Sequence, residues 1–516
     1  MSSTEGFGKL RGLLWPVHGH ELKKFLPMFF MFFLVTFNYN TLRAAKDALV
    51  VTAPSSGAEA IPFIKVWAIL PSAFLMTFLF TRVANHFRRE QVFYIMMSLF
   101  LVFFCIFAFI LYPLREHLHP HEFADHLADI LPLGCKGLIA MVRNWTFTLF
   151  YVMAEMWSTI IMTVLMWGFA NEVTPVQQAR RFYGLFGVGV NFSGVVAGQV
   201  CTWLSRISFN PSLPFGQDAW EQSLVFINAI LIVSGLACMA LFYWMHRSGD
   251  GYNSVPPCPQ GGPSEFKMGL RKNFAYLARS KYLIYIAVIV VMYNISINFV
   301  EVVWKDQVKT LYPNPSDFNA CMGKVLTGIG VLATITSMFV SGNVIRRFSW
   351  SFAALVPPMI LLVTGIGFFA FLLFADYGFG AIAGVFGATP LAVAVLFGCL
   401  QNCLARASKY TFFDATKELA FVPLSKESKL KGKAAIDGIG SRLGKSGGST
   451  IHQGLLMIFG SVSLSTPFVG VLLLVVIGAW ILAVRGLGKQ FAHLTSHQAT
   501  LQVPEEMPSA PSTSPA

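Results

Sequence analysis

Long apolar windows recur along the whole chain, each nearly free of charge and each about the length needed to cross a hydrocarbon core of ~30 Å. Nothing else in the sequence constrains the fold as strongly. In lipid every backbone N–H and C=O must be satisfied internally, which leaves helices or a closed barrel. Windows this long, without the short alternating segments of a barrel, select helices. Only 12% of the 516 residues are charged, whereas soluble domains carry roughly 25%. The expected class is an all-α polytopic membrane protein of about 12 transmembrane helices. The windows fall near 25–48, 61–84, 91–113, 140–170, 181–205 and 221–246, then near 282–305, 322–346, 351–375, 389–415, 433–462 and 467–485.

A polar, Pro/Gly-rich connection divides the series into six plus six. The expected organisation is an N-terminal half over 1–246, a cytoplasmic linker over 247–281, a C-terminal half over 282–490 and a disordered Pro/Ser-rich tail over 491–516. The halves echo one another in residues. Lys46-Asp47 at the end of the first span recurs as Lys305-Asp306 at the end of the seventh, and Arg88 falls beside Arg347 at the same offset. The Gly187–Gly194 stretch matches Gly438–Lys445 at a slightly smaller offset, because the loop between spans 3 and 4 is longer in the first half. Two parallel six-helix halves indicate a major-facilitator-like transporter with a substrate site near mid-membrane between them.

The net charge of +13 reflects topology rather than nucleic-acid binding. Arg88, Arg89, Arg180, Arg181, Arg271, Lys272, Arg279, Arg346, Arg347, Lys426, Lys429 and Lys431 all fall on one side of a 12-helix arrangement. Both termini are therefore expected in the cytoplasm. The first apolar run lacks a small-residue cleavage site and precedes many more, so it reads as a span rather than a removed signal, and no long Ser/Arg-rich transit segment is visible.

Charge inside the spans carries the functional signal. Arg442 and Lys445 sit three residues apart on one helix face, in a stretch that runs from Lys431 into an apolar segment. An intramembrane cation needs an anion or a wet cavity. Arg43 with Lys46, and Arg406 with Lys409, repeat the spacing, and Arg143 adds a further base. Each pair would repel itself in a dry bundle, so convergence on a polyanion, read here as nucleotide phosphates, is the economical explanation, with snorkelling or pairing to Asp47, Asp414 and Asp437 as the plain alternative. The expected phosphate-binding residues are Lys46, Arg43, Arg442, Lys445 and Arg406. Gly444-Lys445-Ser446 resembles the end of a Walker-type loop, but Ile439 occupies the place of the first glycine and the flanks are helical runs rather than strands. Glu155, Glu301 and Asp437 are the coupling or gating candidates. Glu301 has Lys305 one turn away, whereas Glu155 lacks a partner in its own helix.

The remaining chemistry-bearing residues have bland readings. The eight Cys form no disulfide or zinc pattern, and Cys399 and Cys403, a turn apart, read as packing residues. The histidines at 117, 119, 121 and 126 lie in a polar loop. Neither a metal nor any other cofactor is expected. Tyr39, Trp145, Trp157, Trp167 and Trp304 lie near the charges, where packing and interfacial belts compete with stacking on a base. The Asn191 and Asn294 glycosylation patterns fall inside spans and carry no weight.

At these residues the sequence resembles the ATP:ADP antiporter family of plastids and obligate intracellular bacteria, over about Phe7 to Phe491. The matching phrases are Asn38-Tyr39 with Leu42-Arg43, Lys46-Asp47 with Val51-Thr52-Ala53, Trp167-Gly168-Phe169-Ala170-Asn171, Glu301-Val302 with Trp304-Lys305, and Lys431–Asp437 with Leu443–Gly448. The resemblance implies a transporter, not an enzyme, that exchanges host ATP and ADP across the inner membrane of an intracellular bacterium. It places Lys46, Glu155, Glu301 and Lys445 at the family's functional charged positions. The chain has Arg43-Ala44-Ala45-Lys46-Asp47 where the exchangers look like Arg-Asp-Thr-Lys-Asp, and Ser441-Arg442-Leu443-Gly444-Lys445 where they look like Asn-Pro-Leu-Gly-Lys. One acid is lost and one base gained, so proton-coupled net uptake of nucleoside triphosphates is the alternative, and a non-transporting receptor for a phosphorylated ligand is a further one. The expected partners are the nucleotide, protons in the symport alternative, and the lipid bilayer.

Overall fold

A computed structural model of the chain describes residues 15, 17–247, 280–339, 349–385, 387–424, 432–433, 436 and 440–501. Among these residues twelve long helices form the molecule. They are α1 (Gly19–Val51), α2 (Ala60–His86), α3 (Arg89–Leu111), α4 (Trp145–Val173), α5 (Val176–Leu204) and α6 (Ala219–Arg247) in the first half. The second half holds α7 (Lys281–Leu311), α8 (Pro315–Phe339), α9 (Trp350–Leu373), α10 (Pro390–Phe421), α11 (Ser441–Phe459) and α12 (Val462–Leu501). Eleven are long and apolar enough to cross a membrane. The exception is α11, whose Arg442, Lys445, His452 and Gln453 and run of Gly and Ser lower its hydropathy although its 19 residues span ~28 Å.

The expected six-plus-six arrangement is therefore present, with shifts that have local causes. The fourth span begins at Trp145 rather than at 140, because Asn144 (φ −104°, ψ 48°) leaves the helical region and separates a short helix, Lys136–Arg143, from α4. Arg143 accordingly lies outside the span and donates to Asp125 of the loop helix His121–Ile130. The last helix continues to Leu501, beyond the expected boundary at 490. Asp437, the linker residues 248–279, and the basic residues Arg346, Arg347, Lys426, Lys429 and Lys431 lie outside the described residues.

Glycine lets the halves approach. A Cβ on Gly198 of α5 would stand 2.4 Å from the Gly323 carbonyl oxygen of α8, and one on Gly323 would stand 2.7 Å from that of Gly198. The backbones touch there because neither residue has a side chain. Beside this contact, Asn319 donates to Ser205 Oγ at 2.8 Å and Gln199 to Thr327 Oγ1 at 3.2 Å. Lys309 of α7 donates to the Ser56 carbonyl in the α1–α2 turn. These bonds between halves lie at the ends of α1 and α7 and along the last part of α5 and the first half of α8. We call this the closed end; α1 begins and α12 ends at the other.

Candidate functional site

Four helices bring six charged side chains into one continuous chain of ion pairs. Glu155 of α4 lies 2.9 Å from Lys46 of α1, and Lys46 lies 3.3 Å from its neighbour Asp47. Asp47 reaches across the halves to Lys305 of α7 at 2.8 Å, and Lys305 also holds Glu301 at 2.8 Å, one helical turn away. Glu301 finally meets Lys65 of α2 at 2.9 Å, and Lys65 donates to Asn298 at 2.6 Å. Three lysines alternate with three carboxylates, so the network is neutral as a whole. Lys46, Asp47 and Lys305 are buried, and the ring of buried Tyr151 lies 3.5 Å beneath the Lys46 ammonium. That satisfies the condition for ions at membrane depth, since an unpaired charge there costs several kcal/mol.

Around this neutral core stand bases without counter-charge. Arg43, Arg406, Arg442 and Lys445 have no carboxylate within ion-pair distance among the described residues. Arg43 and Arg406 are half-buried and line one narrow cavity with Trp304, Asn402, Asp47 and Glu301. Arg442 and Lys445 are exposed in the first turns of α11, with Arg442 near the terminal end and Lys445 one turn deeper. Lys445 is within electrostatic reach of Glu155, Lys409, Lys65 and Tyr410. Glycine explains how so polar a helix sits here. A Cβ on Gly444 would be 2.7 Å from Asn294 Cβ and one on Gly448 3.2 Å from Asn298 Cβ, so the Gly444/Gly448 stripe lets α11 lie against α7. Asn298 then donates to the Lys445 carbonyl at 3.2 Å.

The helices around the site are locally widened into π turns at Ile64–Ile69, Ser158–Met166 and Lys409–Phe413. The first contains Lys65, the second begins three residues after Glu155, and the third opens on Lys409. Such turns shift side chains round the helix axis and leave carbonyls for side-chain donors. The Ser158 and Thr159 hydroxyls both donate to the Glu155 carbonyl, at 3.1 and 3.4 Å.

A family model described as the TLC ATP/ADP transporter matches residues 1–491. The chain is 47% identical over 497 residues to ADP,ATP carrier protein 1 of Chlamydia pneumoniae, covering 95% of this chain and 96% of that protein. The chain belongs to the TLC ATP/ADP transporter family. It is also 41% identical to the chloroplastic ADP,ATP carrier protein 1 of Arabidopsis thaliana, over 92% of this chain and 75% of that one. Among solved structures, a bacterial homologue of the iron transporter ferroportin in an inward-facing state aligns over 95% of this chain and all of that one, with a TM-score of 0.55 at 14% identity. That likeness concerns the fold, which is major-facilitator-like.

For a TLC family transporter, the geometry divides the expected site residues into two groups. Lys46, Glu155 and Glu301 belong to the neutral network; Arg43, Arg406, Arg442 and Lys445 belong to the unneutralised set. Glu155 has no partner in its own helix but has one across the bundle, so it is an ion-paired carboxylate rather than an isolated one. Three participants were missed. Lys65 stands alone in an apolar window, a signal that an intramembrane lysine should itself have raised. Asp47, treated only as a partner that could neutralise a base, bridges the halves through Lys305, as Lys65 does through Glu301. Tyr410, a half-exposed ring next to Lys409 and within electrostatic reach of Arg43 and Lys445, had no sequence signal beyond its neighbours. Of the aromatics considered, Trp157 is fully buried and donates to the Val35 carbonyl, Trp167 packs on Phe32 and Tyr183, and Trp145 donates to Leu118 in the loop. Only Trp304 of the tryptophans lines the cavity with Arg43 and Arg406.

Proposed function

We propose that this transporter exchanges ATP for ADP across the inner membrane of an intracellular bacterium, with both termini in the cytoplasm. The observation that carries the reading is the excess of bases, Arg43, Arg406, Lys409, Arg442 and Lys445, around a neutral ion-pair network. A nucleotide polyphosphate supplies the missing charge, and charge-assisted hydrogen bonds from Arg and Lys hold it strongly. Arg43, Arg406, Arg442 and Lys445 take the phosphates, while Tyr410 offers its face to the base. Lys46 is already bonded to Glu155, and a phosphate oxygen competes with that carboxylate for it. Binding therefore loosens one end of the chain that runs through Asp47 to Lys305 and Lys65, the contacts that fasten the closed end.

Exchange follows from the same charge count. To reorient, the bundle must open its closed end and close around the bases. Empty, it would crowd these like charges away from bulk water; loaded, it would not. The empty carrier reorients slowly and the loaded one quickly. Purified protein in liposomes tests this: labelled ATP should enter vesicles preloaded with ADP and not empty ones, whether or not a pH gradient is imposed. Gradient-driven uptake into empty vesicles would instead establish proton symport.

A further inference from the structure

The site described above leaves unexplained a base on the opposite flank of the second half. Lys324 lies within the α8 span, is exposed, and has no hydrogen bond or ion pair among the described residues. It borders a groove of about 760 Å³ between α8, the end of α9 and α10, lined almost wholly by apolar side chains such as Val325, Phe371, Leu396, Phe397 and Leu400. The groove follows α10 over the twelve residues from Ala392 to Cys403, ~16 Å of helix, and Tyr312 just past the end of α7 borders it too. Its long axis thus runs from the membrane surface at the closed end toward the bilayer interior. Side chains on a helix lean toward its N-terminus, which for α8 is that same surface, and Lys324 acts electrostatically on Cys321, one turn nearer it. A lysine leaning that way carries its ammonium toward the mouth of the groove, with the apolar wall of Val325, Leu396 and Leu400 beside it.

We infer that this groove is a binding site for a single anionic phospholipid of the leaflet at the closed end, its phosphate paired with Lys324 and one acyl chain lying along α10. The charge pattern selects this occupant. A soluble anion would leave the apolar wall facing the bilayer unmatched, and a zwitterionic lipid brings its own cation to the phosphate. An anionic lipid satisfies the lone base and the apolar length together.

Purified full-length protein in detergent, titrated with phosphatidylglycerol, phosphatidylcholine or inorganic phosphate and followed by native mass spectrometry and thermal unfolding, tests the assignment. Phosphatidylglycerol should bind and raise the unfolding temperature, and the other two should not. Lys324→Gln should weaken that binding about fivefold, Lys324→Arg should retain it, and Ala392→Phe, which narrows the groove with the charge left in place, should reduce it. Should Lys324→Gln fail to fold, the other two variants carry the comparison. Equal binding of phosphatidylcholine, equal stabilisation by inorganic phosphate, or undiminished phosphatidylglycerol binding by Lys324→Gln or Ala392→Phe would overturn the assignment. Nucleotide binding at the central site should be the same in all variants.

Discussion

Lys445 is exposed and Asp47 is buried within a chain of ion pairs, and their substitutions should differ accordingly. Lys445 is exposed and unpaired, so Lys445→Ala removes no buried partner and should leave the amount of folded protein near wild type. It should weaken nucleotide binding by the worth of a charged hydrogen bond, about 1.5–3 kcal/mol, or roughly tenfold to a hundredfold in affinity. Radiolabelled ATP binding to purified protein measures this. Asp47→Asn instead leaves Lys46 and Lys305 buried with one fewer carboxylate each, a loss on the order of 3–5 kcal/mol for a broken buried pair. It should show as a lower unfolding temperature and weakened closure of the closed end before any change in nucleotide affinity. Tyr410→Ala should lower affinity for ATP while sparing that for inorganic triphosphate, because the ring offers a face to the base and nothing to the phosphates.

At the scale of the element, the contact of α5 with α8 and the loop ahead of α4 each make a separable prediction. Gly323→Val puts three carbons where the Gly198 carbonyl already lies, so the helices must separate; folded yield and unfolding temperature should both fall. In the loop, His119 is buried and shares a 2.6 Å hydrogen bond with Thr146 Oγ1. Burial, with a smaller contribution from neighbouring His121, pushes its pKa down from 6.5 to about 4. The unfolded chain therefore binds the proton first, and stability contributed here is present above pH 6.5 and lost as pH falls from 6.5 toward 4. His119→Gln should flatten the dependence of unfolding temperature on pH across that window.

For the molecule as a whole, alternating access requires the closed end to part, which places a mechanical demand on bonds far from the phosphates. Gln199 of α5 and Thr327 of α8 face one another across the halves at 3.2 Å. A double substitution of both to Cys, oxidised to a disulfide, should stop ATP/ADP exchange in liposomes, and reduction should restore it. Unimpaired exchange in the cross-linked protein would mean that the halves do not separate here.

The sequence by itself determined the class, the helix count and the two halves, because each rests on a local quantity: the length of an apolar window, the charge within it, or the recurrence of Lys46-Asp47 as Lys305-Asp306. It also singled out Arg43, Arg406, Arg442 and Lys445, since a base inside a span is anomalous wherever it packs. What it could not supply was who neutralises whom. The echo of Lys46-Asp47 in Lys305-Asp306 gave no hint that Asp47 of one copy would bind Lys305 of the other, nor that Glu155 would find Lys46 across the bundle. Pairing depends on which faces of α1, α2, α4 and α7 meet, and those faces are set by glycine contacts and π turns whose effect appears only when helices pack. The separation of six mutually neutral charges from the unneutralised bases around them, on which the proposed transport mechanism rests, was decided by the tertiary structure alone.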